Sequence, residues 1–214
     1  MKCTNLFSFI LSSILLFYSI DFSAKAQIIP DNNLPNNTQI KLDNNTIIIE
    51  EGAKLGTNLF HSFQEFSFSR KNVAHFNNPL DIQNIFSRVT GASISQIEGI
   101  IKANGTANLF LLNPNGIIFG ENARLDIGGS FLASTANSLI FADGLEFSHQ
   151  NPQPDHLLSI NIPIGLQYGT NPKPISIQGT GHDLIGPPFS PLIRGNSTGL
   201  EVNPGNTLDI SEKE

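Results

Sequence analysis

The chain has 214 residues, a formal net charge of −6 and 14% charged residues, so it lacks the basic density with which proteins grip nucleic acid or an anionic membrane surface. Its one cysteine, Cys3, excludes an internal disulfide framework and a thiolate metal cluster. With 18 glycines and 13 prolines, it is a chain dense in turns.

Residues 1–26 read as a signal peptide. Lys2 gives a positive start, Leu6 to Ile20 is an apolar run diluted by Ser8, Ser12, Ser13 and Ser19, and Ala24, Lys25 and Ala26 form an A-x-A cleavage site before Gln27. A membrane anchor would want ~20 strongly apolar residues without such interruption. Cys3 precedes the apolar run and is not placed as a lipoprotein acceptor. Cleavage would remove Lys2, Asp21 and Lys25, leaving the remainder one charge more acidic and free of thiol. That remainder is long enough for one domain with a real core.

Asp31 to Asn45 is rich in asparagine and reads as an extended leader into a first strand, Thr46–Glu50. The chain then turns through Gly52 and Gly56 into an aromatic cluster, Phe60, Phe63, Phe66 and Phe68. Phe66 and Phe68 have strand spacing, with Ser67 and Ser69 on the other face, which predicts an aromatic ladder stacked inside a coil. In Leu80–Val89, Ile82, Ile85, Phe86 and Val89 recur at helical spacing behind a possible Asp81 cap, yet the β-branched residues favour a strand, and β is the reading adopted. Short strands continue at Ile97–Ile101, Ala107–Leu112, Ile117–Phe119, Leu125–Ile127, Phe131–Ala133 and Leu139–Phe141. Glycines at 91, 99, 105, 116, 128, 129 and 144 mark the corners between such segments. Proline then punctuates Gln150–Pro154 and Pro163–Pro174, and weak strand signals return at Ile175–Ile177, Leu200–Val202 and Leu208–Ile210 around a loop from His182 to Asn196.

The organising stretch is Gly99–Gly120, GIIKANGTANLFLLNPNGIIFG. Asn113, Pro114, Asn115 and Gly116 form a strong turn signal: Pro114 presets φ, Asn113 bonds back onto backbone, and Asn115 and Gly116 tolerate a positive φ at the exit. The flanking runs are almost continuously apolar, as expected of strands covered on both sides. Periodicity alone therefore gives an all-β chain, stacked or sandwich-like.

Four collinear blocks, NLFHSFQEF at Asn58–Phe66, DIQNIFSRVTG at Asp81–Gly91, Ile97–Gly120 and LDIGGSFLAST at Leu125–Thr135, carry a family resemblance. They resemble the N-terminal secretion domain of filamentous haemagglutinins, the exoproteins of two-partner secretion (TPS), in wording nearest the cyanobacterial branch. The resemblance covers residues 28 to 170 and implies a right-handed parallel β-helix with short strands capping its N-terminal end. It places the domain at residues 27–174, with 175–214 opening further coils and stopping short of them. The implied function is non-catalytic: export through the general secretion machinery into the periplasm of a Gram-negative-type bacterium, capture by the periplasmic domains of an outer-membrane transporter barrel, and nucleation of β-helix folding outside. The protein would end secreted or on the cell surface.

The residues matching the family's NPNG motif, Asn113, Pro114, Asn115 and Gly116, are the candidate folding or partner-binding site. A second family motif, NPNL, has a variant here in Asn77, Asn78, Pro79 and Leu80. A different class of function, an adhesin or surface-layer component binding glycans or cell surfaces, is the alternative. A β-helix polysaccharide lyase would need carboxylates converging on one groove, whereas Glu50, Glu51, Asp81, Glu98, Glu121, Asp126 and Asp143 are scattered near corners. His61, His75, His149, His156 and His182 have no i, i+4 or CxxC-type spacing, so no metal or cofactor is expected. His61, inside NLFHSF, is read as packing or hydrogen-bonding at a coil corner.

Overall fold

Each turn of the chain exposes backbone edges that only a neighbouring turn can satisfy, and the computed structural model shows how they are satisfied. It describes residues 27–150, 158–179, 184–185, 193–194 and 199–213. The signal peptide expected over 1–26, His156, His182 and most of the loop from 182 to 196 lie outside the described residues. Among those described there is no helix. The architecture is a parallel β-helix of about three turns.

The N-terminal cap consists of β1 (Ile28–Pro30), β2 (Thr38–Asp43), β3 (Thr46–Glu51) and β4 (Ala53–Leu55). The first turn runs through β5 (Asn58–Phe66), a bridging Phe68 and β6 (Val73–Phe76). The second comprises β7 (Asn84–Val89), β8 (Ser95–Ile97) and β9 (Ile100–Ala103); the third comprises β10 (Asn108–Leu112), β11 (Ile117–Phe119) and β12 (Arg124–Asp126). A further turn opens with β13 (Phe131–Ser134), then leaves the stack for an antiparallel sheet of β14 (Ser138–Phe141), β15 (Glu146–Ser148) and β16 (Pro163–Gln167). It returns as β17 (Ile175–Ile177) upon β11, passes the small pair β18 (Leu184–Ile185) and β19 (Ile193–Arg194), and reaches β20 (Leu208–Ser211) upon β13.

Three faces result. β5, β7, β10, β13 and β20 stack in parallel on the first, β8, β11 and β17 on the second, and β3, β6, β9 and β12 on the third. At the N-terminal end, β4 pairs antiparallel with the first half of β5, β1 pairs with its second half, and β2 covers β3. These short strands close edges that would otherwise recruit other chains. The expected capping strands are thus present.

Register explains the apolar runs. Leu59, Ile85, Leu109 and Phe131 form one column facing the interior, while Phe60, Phe86 and Phe110 form the next, facing outward. The outward column is covered by the excursion: Phe141 and Phe147, with Leu139 and Leu34, pack against it in a second core. Phe86 lies 5.1 Å from Phe60, 4.8 Å from Phe110 and 5.3 Å from Phe141, ring centre to ring centre. Strands buried on both faces need apolar residues at every position. That is why Asn84–Val89 is a strand despite its helical spacing: all six residues are buried.

Several expectations need correction. Phe63, Phe66 and Phe68 lie inside the coil, but Phe60 belongs to the outer core. Ile97–Ile101 is two strands bent at Gly99, because consecutive faces meet there. Leu200–Val202 packs against the inner core without joining a ladder, so it forms no strand.

Candidate functional site

Proline at the second position of Asn113–Gly116 sets up a tight turn, closed by Gly116 N donating to Asn113 O at 3.1 Å. Only Gly116 takes a positive φ, +109°; Asn115 does not, contrary to expectation, because the turn reaches left-handed space one residue later. A Cβ on Gly116 would also stand 3.1 Å from Pro174 O.

The side chains then stitch the corner to its neighbours. Asn113 is fully buried, and its Nδ2 donates to Ser93 O at 3.0 Å and Ser95 Oγ at 2.9 Å on the turn below. Its Oδ1 accepts from Asn115 N at 3.0 Å, and Asn115 Nδ2 donates to Gly91 O at 2.7 Å. On the other side Asn113 N donates to Ser134 O at 3.0 Å, and Ile117 N to Pro174 O at 3.3 Å. One tetrapeptide and the residue after it therefore satisfy backbone on the turn before and the turn after. Buried backbone groups need such partners, so the corner closes only when both neighbours are in register.

The Asn77–Leu80 corner uses the same device one face away. Asn78, 3% exposed, accepts from Asn104 N at 2.9 Å through Oδ1 and donates to Asn104 O at 3.2 Å through Nδ2. Asn104 Nδ2 returns a bond to Asn77 Oδ1 at 3.0 Å. Leu80 projects outward, 80% exposed.

A third asparagine set was not read from the sequence. Asn108 Nδ2 donates to Asn84 Oδ1, and Asn84 Nδ2 to Asn58 Oδ1, both at 3.0 Å. Asn58 Nδ2 ends the ladder on Ser159 O and Asn161 O of the excursion, while Asn108 Oδ1 accepts from Ser130 N. The steps of 26, 24 and 22 residues are unequal, which hides the column from a fixed-period search.

Two titratable side chains tie the cap and excursion to this stack. His61, 1% exposed, sits mid-strand in β5 rather than at a corner; its Nδ1 bonds Thr38 Oγ1 of β2 at 3.1 Å, and its ring lies 5.4 Å from Phe76. Burial pushes its pKa down to about 3, so it is neutral. Arg88, 5% exposed, donates to Ser62 Oγ at 2.9 Å, Ser148 O at 2.6 Å and Asn33 O at 3.2 Å, and its guanidinium lies 4.4 Å from the Phe147 ring centre. Burial lowers its pKa to about 10 while nearby Asp31 pulls it back up, so it stays charged. A lone arginine in an apolar run, SRV at 87–89, was the available signal. Among the described residues no group of three or more His, Cys, Asp or Glu is placed to hold a metal.

The profile of the TPS secretion domain family matches residues 26–212. Among curated proteins the chain is similar to a heme/hemopexin-binding protein of Haemophilus influenzae, 34% identical over 73 residues, which is 34% of this chain and 8% of that protein. It is likewise similar to the heme/hemopexin-binding protein of Haemophilus influenzae strain Rd, 33% identical over 69 residues, 32% of this chain and 7% of the relative. The chain thus aligns with less than a tenth of either relative's length.

Proposed function

This chain belongs to the TPS secretion domain family, and on that premise we propose that it is the non-catalytic export domain of a filamentous-haemagglutinin-like exoprotein. Residues 1–26 direct it to the general secretion machinery and are cleaved after Ala26. In the periplasm it stays extended and is captured by the periplasmic domains of an outer-membrane transporter barrel. Outside, it folds and templates the coils C-terminal to it. We assign the export unit to residues 27–174 and the first of the further coils to Ile175 onward.

The observation that carries this reading is the corner at Asn113–Gly116, whose bonds are made to both neighbouring turns. Successive turns are linked by contacts 26 and 24 residues apart, so each new turn closes a short loop onto a finished one. Loop-closure entropy grows by only ~0.6 kcal/mol per doubling of length, and short separations fold fast. A chain emerging N-terminus first, with its cap already closed, therefore grows turn by turn, and each completed turn opposes retreat through the barrel. Before folding, the same strands offer unpaired backbone that suits capture by strand addition.

Binding of the urea-unfolded chain and of the folded chain to the isolated periplasmic domains of a candidate barrel tests the order of events. Capture of the unfolded chain alone is expected; capture of the folded protein with equal affinity would overturn the proposal.

A further inference from the structure

Glycine follows asparagine at Asn104–Gly105 and at Asn115–Gly116, whereas the two buried corner asparagines, Asn78 and Asn113, are each followed by proline. The difference is chemical. A backbone N–H next to an asparagine can attack that residue's side-chain amide, and glycine, with no Cβ, hinders the approach least. Proline has no N–H to attack with.

The reaction is a deamidation. The Gly116 nitrogen bonds to Asn115 Cγ and gives up its proton, the Cγ–Nδ2 bond breaks and ammonia leaves, so that a succinimide ring joins the two residues. Water then opens the ring at one carbonyl or the other, yielding aspartate or isoaspartate with no oxidation or reduction. Asn104 and Gly105 react in the same way.

The folded coil blocks both reactions. Asn115 Nδ2 donates to Gly91 O at 2.7 Å and to Asn113 Oδ1 at 3.0 Å, and Gly116 N, which is buried, donates to Asn113 O at 3.1 Å. Asn104 Nδ2 donates to Asn77 Oδ1 and Asn78 O, both at 3.0 Å, and its Oδ1 pairs with His75 Nε2 at 2.8 Å. Each amide is held by the turn before it, and attack requires those bonds to break. The products cannot remake them, because a carboxylate only accepts. At position 115 it would face Gly91 O and Asn113 Oδ1, and at 104 it would face Asn77 Oδ1 and Asn78 O, with no donor between. Isoaspartate also adds a methylene to the main chain between β10 and β11, or between β9 and β10.

We infer that Asn104 and Asn115 are self-modification sites of the unfolded chain that coil formation shuts, so that a chain kept unfolded spoils its own corners and a chain that folds promptly keeps them. The consequence for export rests on the function proposed above; the chemistry does not, and it is read in purified protein alone.

The purified chain is held at mildly alkaline pH and physiological temperature, one sample native and one in guanidinium chloride, and peptide mapping that separates asparagine, aspartate and isoaspartate follows both over days. In denaturant, positions 104 and 115 should react ahead of the other asparagines. In the native sample both should react at least ~10-fold more slowly, because local opening must precede attack. Gly105→Ala and Gly116→Ala, compared in denaturant where folding plays no part, should each suppress the reaction at their own site. On dilution from denaturant, modified chains should regain native structure in lower yield than freshly denatured ones. Equal rates in the native and denatured samples, reaction spread evenly over the other asparagines, undiminished reaction in the glycine variants, or full refolding of the modified chain would each overturn the inference.

Discussion

Replacing His61 by glutamine is expected to remove much of the protein's sensitivity to mild acid. His61 is 1% exposed between the cap strand β2 and the first turn, and burial lowers its pKa from 6.5 to about 3. In the unfolded chain it titrates near its ordinary value of ~6.5. Below that pH the unfolded state binds a proton that the folded state refuses, so stability present above pH ~6.5 falls as pH drops toward the folded pKa of about 3. Each pH unit in that window is worth ~1.4 kcal/mol, which makes the protein about 2 kcal/mol less stable at pH ~5 than at pH ~7 from this group alone.

Urea unfolding at the two pH values measures it. With an m-value of ~2 kcal/mol/M, the midpoint should fall by ~1 M in the wild type beyond any fall in His61→Gln. His149, whose pKa burial also lowers, is present in both proteins and cancels. Glu50, Asp81 and Asp143 are held below their ordinary values of 4.5, 3.8 and 3.8 by hydrogen bonds from Lys41, Lys54 and Ser159, so that stability is lost as pH falls from those values downward, below the pH ~5 end of the comparison. Equal midpoint shifts in the two proteins would refute the buried, neutral placement of His61 and its bond to Thr38.

Asn113→Ala strips a fully buried corner of its bonds to Ser93 and Ser95 and of the acceptor for Asn115; at ~1 kcal/mol per bond this amounts to ~3 kcal/mol, read by urea unfolding. Asn115→Ala and Gly116→Ala should slow refolding and lower secretion without abolishing capture by the barrel's periplasmic domains; wild-type secretion of both would contradict the role assigned to the corner. Asn84→Leu breaks the ladder at its centre and leaves Asn58 and Asn108 short of partners, for a loss of ~2–4 kcal/mol; a neutral result would show the ladder to be incidental. Phe86→Ala opens the outer core between Phe60, Phe110 and Phe141 and should cost ~3–5 kcal/mol, with protease sensitivity rising first in β14–β16.

The coil corners were legible because their chemistry is local: proline, asparagine and glycine at 113–116 announce a turn without knowledge of its neighbours. The two-sided strands were legible too, since Asn108–Leu112 carries apolar residues on both faces. What covers each face was not. Phe60 and Phe63 look alike in sequence, yet Phe60 packs beneath an excursion that leaves the stack after Ser134 and regains it at Ile175, and no local pattern reports its contacts with Phe141 and Phe147 so far along the chain. The asparagine ladder was hidden by its unequal steps, and the role of His61 by the fact that the Thr38 hydroxyl it bonds arrives from the cap on β2, which pairs with β3. Leu200–Val202 misled because β-type composition does not supply a ladder partner.

Whether this domain leaves the cell through a dedicated partner barrel is decided by an immunoblot of culture medium from cells expressing the chain with and without that barrel. Protein in the medium only when the barrel is present is the predicted result. Protein retained in the periplasm in both strains, or released equally from both, would contradict export through such a partner.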